Sequence, residues 1–114
     1  MATWRKERGG EKEGYTEELL GVVHKIAGDK DLLKAFFRDI LSPGEYKELG
    51  VRWQIVKQLA AGKSQRDVAK NLHTAIATVT RGSRELADKE GGFQQVLRKI
   101  SLASRDLAKP EKRK

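Results

Sequence analysis

The chain has 114 residues, a formal net charge of +8 and a sequence pI of about 9.9, and it contains no cysteine. This length suits one domain with a modest core, and the lack of thiols excludes disulfides, zinc fingers built on cysteine and thiol catalysis. The positive charge favours a polyanionic partner, because Lys and Arg placed near phosphates release condensed counterions, but it does not decide the fold.

The N-terminal segment, residues 1–14, mixes Lys, Arg, Glu and Gly without periodicity, and we interpret it as a disordered arm. We find no signal peptide and no apolar run near the roughly 18 residues of a membrane span. We therefore expect a soluble, cytoplasmic protein without a membrane partner. Strict alternation of apolar and polar residues is also missing, so strands have little support.

Three amphipathic patterns come next and predict helices. Thr16 is expected to cap the first helix, which Gly28 ends. The second helix runs from about Asp31 to Leu41 and has a broad apolar face. The third opens with Ser42-Pro43-Gly44-Glu45, in which a capping serine precedes a proline at the first helical position and a glutamate follows three residues after the serine.

Two shorter helical patterns then meet at a polar turn, over about residues 64–87. Ser64 and Asp67 resemble a capping box for the fourth helix, and Thr74 is expected to cap the fifth. Such a pair predicts a helix-turn-helix, whose second helix can enter the major groove of DNA. Gly91-Gly92 breaks the chain before a sixth helix, and residues 104–114 are expected to form a basic tail.

The outer helices are more apolar than a lone helix-turn-helix requires. A small single-copy bundle of short helices buries little surface, and helix-turn-helix proteins commonly dimerise to span two half-sites about one DNA turn apart. We therefore expect an all-α domain of about six helices, residues 15–103, that forms an intimate homodimer through its outer helices.

Four segments closely resemble the bacterial tryptophan repressors in sequence and order, and also in spacing apart from one deleted residue near Gly62 and Lys63: Leu41-Ser42-Pro43, residues 48–52, Ser64-Gln65-Arg66 and residues 75–83. The string Ile-Ala-Thr-Val-Thr-Arg-Gly-Ser, at residues 76–83, is the most specific of them. The resemblance implies an interwoven homodimer with helix-turn-helix heads and no prosthetic group. It also implies that free L-tryptophan acts as a corepressor, binding between head and dimer core so that the two heads fit a palindromic operator.

The same resemblance implies roles for individual residues around the ligand. Arg52 and Arg81 would lie on the two faces of the indole ring, on which guanidinium planes stack well. Ser42 occupies a threonine position and keeps the hydroxyl that hydrogen-bonds the ligand carboxylate. Gly82 would leave room for the ring.

The ammonium end of the ligand is where this chain departs from the family. Backbone carbonyls near Asp39 and Leu41, from the partner chain, would receive the ammonium group. Glu85 stands where the family commonly has a serine, and its carboxylate could pair either with the ammonium or with Arg81, four residues earlier on the same helix. Because Asp39 also replaces an apolar residue, the corepressor is open between tryptophan, another amino acid and none.

Contacts with DNA are implied at the start of the fourth helix and at the start of the fifth. Small side chains there permit close approach and water-mediated readout, and threonine hydroxyls reach phosphates. A lysine of the family is replaced by Ala69, with Lys70 beside it but about 100° away around the helix. The expected DNA contacts are Gln65, Arg66, Lys70, Ala75, Ile76, Ala77, Thr78, Thr80 and Arg81.

Two other functions are open beside the corepressor-activated repressor. The first is a ligand-independent helix-turn-helix regulator on the same scaffold, with Glu85 satisfied by Arg81. The second is a helical module whose head binds a protein. His24 and His73 lack metal-ligand spacing, and no nucleophile–base constellation is present, so neither a metal site nor an enzyme is expected.

Overall fold

The computed structural model describes residues 11–108, with side chains described for residues 13–101. Over this range the chain is all-α, as predicted, with six helices and no strand. The helices are α1 (Glu11–Ile26), α2 (Lys30–Ile40), α3 (Pro43–Ala60), α4 (Gln65–Leu72), α5 (Ile76–Leu86) and α6 (Gly92–Ala108). None of these six helices combines the length and the apolar character needed to cross a membrane.

The chain divides into two compact units, Met1–Tyr46 and Lys47–Lys114. In the first unit α1 contacts α2, and the carboxylate of Asp29 caps α2 by accepting a hydrogen bond from the backbone amide of Leu32 at 3.1 Å. No side chain from residue 13 to residue 46 is buried. The described part of this unit therefore has no core of its own.

Helix α1 begins earlier than predicted. It starts at Glu11, so residues 11–14 of the expected disordered arm are helical, and Thr16 lies inside the helix instead of capping it. The Thr16 hydroxyl donates a hydrogen bond to the carbonyl of Glu13 at 3.0 Å. A threonine hydroxyl that bonds the preceding turn is compatible with a helix interior. The remainder of the expected arm, residues 1–10, lies outside the described residues.

Helix α3 begins with the capping box that its sequence predicts. The backbone amide of Glu45 donates to Ser42 Oγ at 3.1 Å, and the backbone amide of Ser42 donates to Glu45 Oε1 at 2.8 Å. Two amides that lack intrahelical partners are thereby satisfied. After α3 ends, Gly62 takes a φ of 96°, a left-handed conformation that glycine adopts without strain.

The core of the second unit is formed by Ile55 of α3, Val68 of α4 and Val79 of α5, each no more than 1% exposed. One fully buried apolar side chain from each helix therefore joins α3, α4 and α5. The partly buried residues Val51, Leu59, Ala69 and Leu72 pack around this cluster.

Helices α4 and α5 contact each other and are joined by residues 73–75. Ser64 caps α4 as predicted, accepting a hydrogen bond from the backbone amide of Asp67 at 3.1 Å. At the other end of α4, His73 takes a left-handed conformation with a φ of 54°. That conformation reverses the chain within one residue and brings α5 back towards α4.

Thr74 does not cap α5, contrary to the prediction. Its backbone amide still closes the end of α4 by donating to the carbonyl of Ala69 at 3.0 Å. The residue at the N-cap of α5 is Ala75, which makes no side-chain capping bond. The turn is therefore one residue longer than the position of the threonine suggests.

Helix α6 begins at Gly92, after α5 has ended at Leu86, so Gly91 lies in the predicted break whereas Gly92 is already the first residue of α6. The helix continues to Ala108, which makes residues 104–108 of the expected basic tail helical. Residues 109–114, with Pro110, lie outside the described residues.

Candidate functional site

A cavity of about 340 Å³ lies in the second unit, between α3, α5 and the start of α6. Its volume is at the lower end of the range of small-molecule sites, about 300–1,000 Å³. It is lined by Arg52, Arg81, Gly82 and Glu85, which are four of the six residues expected from the sequence to bind the ligand. The full lining is Glu48, Arg52, Ile55, Val56, Ala77, Thr78, Arg81, Gly82, Glu85 and Phe93.

Two arginines and two glutamates supply the charge of this cavity, and one pair of them is already joined. Arg52 Nε lies 3.3 Å from Glu48 Oε2, one helical turn earlier on α3. The two side chains are 57% and 47% exposed respectively, so the pair contributes only about 0–1 kcal/mol to stability. Its larger effect is to restrict the position of the Arg52 guanidinium on the cavity wall.

Arg81 and Glu85 are one turn apart on α5 and both line the cavity. The sequence left open an ion pair between them. Among the side chains of residues 13–101, however, the pair of Arg52 with Glu48 is the one ion pair formed. Arg81 and Glu85 therefore stand in the cavity as separate charges of opposite sign.

The apolar wall is formed by Ile55, Val56 and Phe93. Gly82 adjoins this wall at a point of close packing, since a Cβ atom added to it would lie 2.8 Å from Ile55 Cγ2. A larger residue at position 82 would have to displace Ile55, which belongs to the core. The family resemblance gives Gly82 the role of leaving room for the ligand, and the structure adds a role in packing α5 against α3.

The remaining residues assigned to the ligand belong to the first unit. Leu41 is half-buried, and Asp39 is exposed in the last turn of α2. The Ser42 hydroxyl accepts the capping bond from Glu45 and keeps its own proton for a further acceptor. The family resemblance implies that the contacts of residues 39 and 41 would reach the ligand from a partner chain.

The residues assigned to DNA occupy the beginnings of α4 and α5. Ile76 is 50% exposed, whereas Val79, three residues later, is fully buried. Ile76 therefore does not belong to the core, although an isoleucine at helical spacing more often does. Of the assigned residues, Arg66, Lys70, Ala75, Ile76, Ala77 and Arg81 are exposed, and Gln65, Thr78 and Thr80 are half-buried.

Two of the assigned DNA contacts bind each other. Thr80 Oγ1 donates to Gln65 Oε1 at 2.7 Å, which ties the middle of α5 to the start of α4. The Thr80 hydroxyl therefore has a structural role that the sequence did not predict. The amide NH₂ of Gln65 can still donate to a phosphate or a base edge.

Four cavity residues were not found from the sequence: Glu48, Ile55, Val56 and Phe93. Glu48 could have been found from the sequence, because an acidic residue four positions before Arg52 on a helix is placed to pair with it. Phe93 could not have been found, since its position in the cavity depends on how α6 packs beside α5.

Comparison with known proteins identifies the family to which this chain belongs. The family described as Trp repressor protein matches residues 17–101. A Trp operon repressor homolog of Mannheimia succiniciproducens is 36% identical over 83 residues, which are 72% of this chain and 78% of that protein. Another, of Chlamydia trachomatis serovar L2, is 31% identical over 90 residues, covering 78% of this chain and 95% of its own length. No solved structure gives a significant match.

The family match covers more than half of the chain. A relative from Haemophilus influenzae, also named Trp operon repressor homolog, is 36% identical to this chain over 72 residues, which are 62% of this chain and 71% of that protein. All of these names describe transcriptional repressors and none describes an enzyme. The chain belongs to the Trp repressor family.

Proposed function

We propose that this protein is a DNA-binding transcriptional repressor that L-tryptophan activates as a corepressor. The observation that carries the proposal is the cavity in which Arg52, Arg81, Gly82 and Glu85 come together beside an apolar wall. Tryptophan presents a flat apolar ring, a carboxylate and an ammonium group, and the cavity offers a complementary group for each. The repressor would act in the cytoplasm, where its operator lies.

The arginines are the groups that favour an indole ring. A guanidinium plane stacks on an aromatic face, and each such contact adds about 0.5–2 kcal/mol. The hydrogen bond that Arg52 donates to Glu48 restricts its guanidinium at the cavity wall, so less side-chain entropy is lost when a ring binds against it. Arg81 has no ion-pair partner among the described side chains, and it can therefore also bind the ligand carboxylate.

The ligand would act on DNA binding through α5, because this helix contributes to both sites. Ala77 and Thr78 line the cavity and also belong to the end of α5 that is assigned to DNA. A ligand that fills the cavity contacts α3 and α5 together and favours one orientation of α5. It would shift the protein towards the DNA-competent state to the extent that it binds that state more tightly.

The start of α5 has the properties of a DNA-contacting helix end. Ala75 leaves the first amides of the helix without a side-chain cap, and such amides, at the positive end of the helix dipole, bind phosphate readily. The side chain of Ile76 is exposed beside them. Arg66 and Lys70, exposed on α4, add positive charge that releases counterions from DNA.

A palindromic operator requires two such heads, and the first unit offers a surface that could join them. Apolar side chains of α1 and α2 are exposed in the single chain, among them Leu20 at 59% and Leu32 at 48%. Exposed apolar patches of this kind mark interaction surfaces. We propose a symmetric homodimer through this surface, because two-fold symmetric dimers are the commonest assemblies and match the two-fold symmetry of an operator.

The experiment that tests the proposal is a titration of a labelled tryptophan-operator-like duplex with the protein, followed by fluorescence anisotropy at fixed salt with and without L-tryptophan. We expect tryptophan to tighten binding, and we expect a steep loss of affinity as salt rises. A failure to bind the duplex even at low salt would refute DNA binding. Equal binding with and without tryptophan would refute the corepressor and support the ligand-independent regulator.

The ligand assignment has a test of its own, which does not involve DNA. Arg81→Ala should abolish tryptophan binding measured by calorimetry, while the helical circular dichroism stays unchanged because alanine suits an exposed helix position. Arg66→Ala serves as the matched control: it removes the same charge from an exposed residue of α4 that does not line the cavity. Unchanged tryptophan affinity in the Arg81 variant would refute the assignment.

A further inference from the structure

We infer that Glu85 makes the cavity selective for zwitterionic amino acids, by pairing with the ligand's ammonium group from within the same chain. The inference rests on the proposed function of this cavity as the ligand site. Glu85 is the group by which the cavity distinguishes an amino acid from a carboxylic acid that has the same side chain but no ammonium group.

The charges of the cavity leave one unpaired cation and one unpaired anion. Glu48 and Arg52 are bonded to each other at 3.3 Å. Arg81 and Glu85 remain, four residues apart on α5, which corresponds to about 6 Å along the helix axis. They line the same cavity and are not bonded to each other. The wall formed by α5 therefore presents a positive and a negative charge one turn apart.

An α-amino acid carries a carboxylate and an ammonium group on the same carbon atom, so it can contact both charges at once. With its carboxylate at Arg81 and its ammonium at Glu85, its side chain extends towards Ile55, Val56 and Phe93. The reversed orientation would bring like charges together at both positions, which is unfavourable. The order of the two charges along α5 therefore fixes the orientation of the ligand.

The surface next to Glu85 adds further negative charge at the end of the site where the ammonium group would bind. A neighbouring depression is lined by Glu85, Asp88, Gly91, Gly92, Phe93 and Val96. It shares Glu85 and Phe93 with the ligand cavity and adds the carboxylate of Asp88. The side of the site that lies towards α6 therefore carries two carboxylates, those of Glu85 and Asp88, whereas Arg81 lies one turn earlier on α5.

A ligand without an ammonium group would meet an uncompensated carboxylate at Glu85. Its own carboxylate, held at Arg81, would then lie near a charge of the same sign. Glu85 should accordingly disfavour such a ligand as well as favour the zwitterion. Because Glu85 is exposed, solvent weakens its pairing, and we expect removal of its charge to change amino-acid affinity by about fivefold.

Calorimetry on the full chain, without DNA, tests the inference with three probes: L-tryptophan, tryptamine and indole-3-propionate. Glu85→Gln keeps the shape of the side chain and removes its charge. We expect it to weaken the binding of L-tryptophan and tryptamine, which carry the ammonium group, and to strengthen the binding of indole-3-propionate, which does not. Glu90→Gln is the matched control, because Glu90 is exposed and lines neither the cavity nor the depression.

The outcomes separate this inference from the proposed function. If L-tryptophan binds and the three affinities keep their ratios in the Glu85 variant, the inference is wrong and the ligand site stands. If the unaltered protein binds none of the three probes, the proposed corepressor function fails, and the inference fails with it. Thermal unfolding of both variants checks that neither change alters the fold.

Discussion

The two helix pairs that precede and follow α3 along the chain bury their apolar side chains very differently. In the α4–α5 pair, Val68 and Val79 are fully buried against Ile55. In the α1–α2 pair no described side chain is buried, and Leu32 and Ile40 are about half exposed, at 48% and 51%.

This difference shows that an apolar helix face does not reveal what covers it. The face of α2 is at least as apolar as those of α4 and α5, yet only the latter are covered within the chain. Since burial of apolar surface is the main favourable term in folding, the α4–α5 pair has its own source of stability. The α1–α2 pair requires a further surface, which we propose is a second copy of this chain.

The largest expected effect is on stability and concerns the buried core that the α4–α5 pair forms with α3. Ile55→Ala should lower the free energy of unfolding by about 2–5 kcal/mol, because it removes a buried side chain and leaves a cavity between three helices. Urea denaturation monitored by circular dichroism measures it. Ile76→Ala is the matched control on an isoleucine that is 50% exposed, and it should change stability by about 0.5 kcal/mol or less. Equal losses in the two variants would contradict the core described above.

The next effect concerns the uncovered side. Leu32→Ala should lower stability by about 1–2 kcal/mol per chain, because a second copy would cover the half of this side chain that is now exposed. It should also weaken the dimer, which sedimentation equilibrium and the concentration dependence of the Tm would detect. Lys34→Ala, an exposed change on the same helix, is the control. A protein that stays monomeric at all concentrations would refute a second copy of this chain as the surface that covers α2.

Features that depend on short-range rules could be predicted from the sequence. The capping box at Ser42 and the serine cap at Ser64 join residues only three positions apart, so side-chain identity and spacing determine them. The existence of six helices followed from apolar periodicity in the same way. The start of α1 was wrong because its first turns carry no periodic apolar face, and Thr16 satisfies its hydroxyl inside the helix.

Features of the candidate site that join distant residues could not be predicted. The bond from Thr80 to Gln65 spans fifteen positions, and the place of Phe93 in the cavity depends on the packing of α6. Both arise from the tertiary arrangement of helices, which local patterns do not specify. The assignment of Arg52, Arg81 and Gly82 to the ligand came from the family resemblance. That Arg81 and Glu85 do not form an ion pair with each other could be seen only in the structure.

The smallest expected effect compares the starts of α4 and α5, of which one is capped and the other is not. Ser64→Ala should lower stability by about 1 kcal/mol, because the amide of Asp67 loses its acceptor. Ala75→Ser should raise stability by about 0.5–1 kcal/mol, since position 75 already has the extended conformation of an N-cap, with φ of −70° and ψ of 143°. Urea denaturation measures both changes.

The same serine should weaken binding of the operator duplex, measured by anisotropy with saturating L-tryptophan. Its hydroxyl would accept a bond from an amide at the start of α5, and that amide would no longer be free to bind a phosphate. The stability of the protein and its affinity for the duplex would then change in opposite directions, as they do when a functional site keeps hydrogen-bonding groups without partners in the free protein. If both rise together, the start of α5 does not contact DNA, and its missing cap has no part in recognition.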